Sequence, residues 1–204
     1  MGGGGSSSGG WTGGGGSVTV LNSSDLISQR EGKQSEVDQT LQVLRDVQKQ
    51  YGVNVDTEVG TLKQANVMAY YGGGSVGVNK TYFDAKKMDS AYDACVQQGW
   101  HPSRGNKTGM EATVAHEMGH ALTDAAAQST GVSLDKTASQ IIKDAKKQAG
   151  YRRGAEMAGK ISGYAKTNPA EAVAEAYADV YCNGSKAKKE SKAIVDTLNK
   201  YVRR

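Results

Sequence analysis

The pentad His116-Glu117-Met118-Gly119-His120 constrains this chain more than any other stretch. Residues i and i+4 leave one face of an α-helix, so two imidazoles at this spacing reach one ion only if the segment is helical. Glu117 lies one step round the helix, where it can touch a water on that ion. The only other histidine in the chain is His101. By residue frequencies such a pentad arises by accident in roughly one chain in a hundred of this length, so its surroundings decide its meaning.

Those surroundings read as a helix. Thr108-Gly109-Met110-Glu111 has the form of a capping box. It opens a helix running to about Ala127, with Val114, Met118, Ala121, Leu122 and Ala125 as its packing face. Gly119 costs that helix about 1 kcal/mol relative to Ala. A glycine kept beside the second histidine predicts that another segment passes close to it. Upstream, Ser35 caps a helix with an apolar stripe of Val37, Leu41, Leu44 and Val47, ending at Tyr51 before Gly52. Val53-Asn54-Val55, Asn66 to Tyr71, and Ser75 to Asn79 leading into Thr81-Tyr82-Phe83 read as strands, with a turn at Gly72-Gly73-Gly74. Residues 99–109 and 150–163 read as loops, and helices follow over about 134–149, from Pro169 to near Asn183-Gly184, and over 186–202. One helix, then strands, then helices suits an α+β domain with a small mixed sheet and a helical C-terminal half.

A catalytic zinc takes three protein ligands and leaves one position open. The pentad supplies two. No histidine follows His120, so the third ligand is a carboxylate from elsewhere. Glu171 and Glu175 stand at i, i+4 on a helix otherwise rich in Ala, without a basic neighbour on that face to relieve their repulsion. This assigns Glu171 to the metal and Glu175 to a brace on His116, since a metal-bound histidine usually donates its other N–H to a carboxylate. His101 reads as a loop residue beside Pro102, and Asp179, one turn further on, is left without a role. Tyr164 is either a packing residue or a phenol close enough to donate to an oxyanion.

The 204 residues suffice for one domain with a core. Residues 1–17 are nearly all Gly and Ser, apart from Trp11, and read as a disordered tail ahead of a domain over 18–204. From residue 132 onward 15 Lys/Arg face 8 Asp/Glu, a net +7, against 10 and 13 before it. A basic helical half can contact nucleic acid, but the scattered tyrosines offer no stacking platform, and a solvated surface is the expectation. There is no secretory signal or membrane-spanning run, so a cytoplasmic or virion-associated protein without a membrane partner is expected. Cys95 and Cys182 are accordingly expected as free thiols.

Two blocks carry a resemblance. His116-Glu117-Met118-Gly119-His120-Ala121, followed by Tyr164-Ala165-Lys166-Thr167-Asn168 and on through Glu171 and Glu175 to Ala176, resembles the anthrax lethal factor-like metallopeptidases, a gluzincin branch of the zincins. Gly99-Trp100-His101-Pro102 with Ala115-His116 looks like the phage head-associated type. The resemblance covers about residues 108–181. It implies a zincin-like domain binding one zinc ion per chain through His116, His120 and Glu171. Glu117 would be the general base, Glu175 would hold His116, and Tyr164 would assist the oxyanion. The expected partner is a protein or peptide substrate, aligned along Ser75, Val76, Gly77, Val78 and Asn79 as an edge strand. The chain departs from the family at Ala172-Val173, where aromatic residues are frequent. A zinc-stabilised phage assembly protein without turnover, and a metallopeptidase toxin domain, are the rival readings.

Overall fold

The computed structural model describes residues 19–21, 33–62 and 64–202, so the Gly/Ser tail expected over 1–17 lies outside the described residues. The order is β1 (Thr19–Leu21), α1 (Gln34–Tyr51), β2 (Asp56–Gly60), β3 (Ala69–Gly72), β4 (Ser75–Asn79), α2 (Ala85–Gln97), α3 (Gly109–Thr130), α4 (Leu134–Gln148), α5 (Gly154–Ala158), a 3-10 turn (Tyr164–Lys166), α6 (Pro169–Asn183) and α7 (Lys189–Val202). The fold is α+β and mostly helical, with a small mixed sheet in the order β1-β2-β4-β3.

The β3–β4 hairpin closes on Gly73 and Gly74, with φ of 60° and 82°. A two-residue turn with both φ positive matches the twist of its strands, and glycine takes it without steric cost. β4 then inserts between β2, to which it is parallel, and β3, to which it is antiparallel. Ser75–Asn79 is therefore a central strand with all its backbone neighbours taken, and the expectation that it offers an edge to a peptide is wrong. Val76 and Val78 are fully buried, and the outer position beside β4 belongs to β3.

Other boundaries differ for local reasons. α1 starts at Gln34 with Lys33 in the capping position, and Ser35 is inside the helix, accepting from Gln39 Nε2 at 2.8 Å. Val53 and Val55 alternate because they pack half-buried on the core, whereas ladder pairing begins only at Asp56. Thr81 to Phe83 forms a turn closed by Tyr82 and Phe83 N–H on Asn79 O. Helix α2 escaped the sequence reading because only Met88 and Tyr92 bury fully on it, which is too little for a periodic signal. Asp84 caps it, accepting from Lys87 N. The short α5 and the 3-10 turn likewise replace a stretch expected to be largely loop.

The core is helical. Leu41 and Val47 of α1, Met110, Met118 and Leu122 of α3, Ile141 of α4, Val173 of α6, and Ile194 and Leu198 of α7 are all but inaccessible. α3 and α6 make the most extensive contact between any two elements. Gly119 is the reason they come so close: a Cβ there would stand 2.7 Å from Ala174 Cα and 3.1 Å from Tyr177 Cβ. The segment predicted to pass near Gly119 is thus α6. Gly119→Ala gains about 1 kcal/mol of helix propensity. The clash is with backbone that cannot yield, and overpacking of this kind costs about 1–3 kcal/mol. We expect a net loss, seen as a thermal midpoint roughly 2–6 °C lower; an unchanged or higher midpoint would show that α6 can retreat.

Candidate metal centre

The capping box at the start of α3 is complete: Thr108 Oγ1 accepts from Glu111 N, and Glu111 Oε2 accepts from Thr108 N. It fixes the phase of the helix so that His116 and Glu117 are buried and His120 is half-buried. α6 begins with an equally firm cap. Asn168 Oδ1 accepts from Glu171 N at 2.9 Å, and Pro169 takes the first position. Glu171 therefore sits in the first turn, where the helix dipole favours a carboxylate. Glu171 and Glu175 are both only 1% exposed.

The close approach at Gly119 carries these carboxylates onto the imidazoles. Glu171 Oε2 lies 3.1 Å from His116 Nε2 and 3.4 Å from His120 Nε2. It is buried, yet no donor is aligned with it for a hydrogen bond. His116, Glu117 and His120 each bring a ligand atom within 4.8 Å of the others, a group that could hold a metal ion.

Glu175 lies behind this group. Its Oε1 is 2.8 Å from both His116 Nδ1 and His101 Nδ1, and its Oε2 accepts from Ser162 Oγ at 2.7 Å. The contact to His116 is close but off the hydrogen-bond axis, so the aligned bond to Oε1 is the one from His101. Tyr164 stacks on His116 with ring centres 5.7 Å apart and an interplanar angle of 22°. Its phenol faces Glu171 and Glu117, whose charges, after burial itself, push its pKa well above the usual range.

Three carboxylates and three imidazoles buried together set the electrostatics. Burial alone would favour neutral groups, at a cost of several kcal/mol per uncompensated ion. Burial raises the Glu117 carboxyl above its ordinary value, with the histidines only partly offsetting it. Glu171 and Glu175 go the other way. Burial pushes them up, but the histidines outweigh it and hold Glu171 far below the usual range and Glu175 at about 2. His101 pays the same burial penalty, and the charge of Glu175 overcomes it, holding His101 at about 9.

The sequence-predicted site residues Glu117, Tyr164, His116, His120, Glu171 and Glu175 all meet here; Ser75 to Asn79 are taken up in the sheet. Asp179 is structural, accepting from Asn183 Nδ2 and from the N–H of Lys188. His101 lies in a loop, as its sequence context predicts, yet it is mostly buried and stacked on Tyr92, with ring centres 5.3 Å apart. Ser162 was also missed. The available signal was that His101 is the one histidine outside the pentad. Cys95 and Cys182 are free. Among the described residues no helix is long and apolar enough to cross a membrane. Comparison with family models, with curated proteins and with solved structures found no match to this chain.

Proposed function

We propose that this protein is a zinc-dependent endopeptidase of the lethal factor-like gluzincin type, its zincin-like domain holding one zinc ion through His116, His120 and Glu171. The observation that carries this reading is Glu171 Oε2, a buried acceptor without an aligned donor between two imidazole nitrogens. Donors that share a tetrahedral zinc at about 2.0–2.1 Å stand about 3.3 Å from one another. The observed 3.1 and 3.4 Å bracket that separation. The donor set of two imidazoles and one carboxylate, with Nδ1 of His116 turned to a second carboxylate, is also the chemistry such a site requires.

Zinc, when bound, supplies Lewis acidity and lowers the pKa of its water to about 7. Glu117 is the base that takes the proton from the attacking water and returns it to the leaving amine. Its raised pKa suits both halves of that task. Tyr164, kept protonated by its surroundings, donates to the oxyanion of the scissile carbonyl. Tyr164 is only partly buried, so substrate approaches from its side. The outer edge of β3 is the strand edge associated with α3, through Tyr71 Oη donating to Asp124 at 2.8 Å, one turn beyond His120. An extended peptide adding to that edge would lie alongside the pentad helix.

The test is metal content and turnover together. Purified protein should carry about one zinc per chain and cleave members of a peptide library, with cleavage abolished by chelation and restored by zinc. A chain without zinc removes the proposal. A chain that holds zinc and cleaves nothing across the library favours the non-catalytic assembly protein.

A further inference from the structure

We propose that His101 is a positioning residue for the metal centre, fixing Glu175 and through it the ring of His116. This rests on the zinc reading above. Glu175, as an ionised carboxylate, can only accept. His101 Nδ1, 2.8 Å from Oε1, is therefore the nitrogen that carries hydrogen and donates. Ser162 holds the other oxygen at 2.7 Å, and its own hydroxyl oxygen accepts from Ala165 N. Both oxygens of Glu175 are thus pinned by residues outside the pentad helix. His116 meets a carboxylate whose orientation is already fixed.

His101 is itself held on every side. Its ring stacks on Tyr92, whose hydroxyl donates to Pro102 O at 3.2 Å. The backbone around it is strapped to the far segment of the site: Gly163 N donates to Gly99 O at 2.7 Å, and Tyr164 N to Trp100 O at 3.2 Å. Arg104 locks the loop to α2 through both oxygens of Asp93, at 2.7 and 2.9 Å. A Cβ on Gly163 would stand 3.1 Å from Gly99 O, so a larger residue there would press on the strap. One short segment therefore positions Glu175 by a side chain and Tyr164 by its backbone. A solvated loop histidine would have none of these partners.

Zinc affinity, read by competition with a chromophoric chelator, separates the roles without relying on turnover. His101→Phe keeps a ring on Tyr92 and removes the donor; it should weaken zinc binding about 10–100-fold, the usual effect of losing a residue that orients a ligand. His101→Asn offers an N–H near the place of Nδ1 and gives up the ring; it should stay within about threefold of the wild type. Equal affinity in His101→Phe and wild type overturns the proposal, and so does an equal loss in both variants, which would assign the effect to packing. Wild-type protein that binds no zinc instead removes the reading on which the proposal stands. Should His101→Phe fail to fold, wild-type imidazole NMR decides: His101 should show a slowly exchanging proton on Nδ1, and a bare Nδ1 overturns the assignment.

Discussion

Glu117→Gln is expected to reduce peptide hydrolysis by about 10²–10⁴-fold while leaving zinc content unchanged. The amide has nearly the volume of the carboxylate, so the packing around a residue only 7% exposed is kept. It cannot accept the water's proton, which is the step assigned to Glu117. The loss should fall on kcat, because binding of the peptide does not use this carboxylate. Removing a buried carboxylate whose pKa is already raised should also leave the fold as stable as before or slightly more so. The check is kinetic, with zinc measured on the same preparation. A variant that keeps zinc and cleaves at the wild-type rate would sink the mechanism.

Glu171→Ala should abolish stable zinc binding. In the proposed ligand set its loss leaves two protein donors of three, a larger defect than the 10–100-fold typical of losing a supporting partner. The effect can be read without any substrate. An ion present at about a thousand times its dissociation constant stabilises the folded chain by about 4 kcal/mol. Adding zinc should therefore raise the thermal midpoint of the wild type by several degrees and leave Glu171→Ala where it was. The variant also loses the partner of two buried histidines, so its own baseline should be lower. A zinc-dependent rise equal to that of the wild type would show that Glu171 is not a donor.

What could be read from the sequence was local chemistry. The capping box at Thr108, the Asn168-Pro169 start and the Gly73-Gly74 turn are short-range hydrogen-bonding and φ preferences, and each appears where its residues put it. The spacing of Glu171 and Glu175 was visible for the same reason, because an i, i+4 pair shares a face whatever packs against it. What escaped depends on which segments meet in space. The order of strands is not written in any one strand, so Ser75 to Asn79 read as a possible edge when β3 occupies that place. Helix α2 has too few buried positions to announce itself. His101 lies 74 residues from the carboxylate it holds, and its neighbours in sequence, Trp100 and Pro102, look like an ordinary turn. Only Gly119 carried a long-range message, because a glycine inside a good helix needs a neighbour to explain it.

The donors are also spread along the chain in a way that bears on synthesis. His116 and His120 leave the ribosome together, but Glu171 follows 51 residues later and reaches them only when α6 has docked at Gly119. Closing so long a loop is slow compared with winding a helix. A nascent chain with the pentad already exposed thus has two of the three proposed donors, and it lacks the Tyr164 phenol as well. On the zinc reading proposed above, the ion would be captured only once α6 has docked on α3, so the centre forms after the pentad helix and not with it.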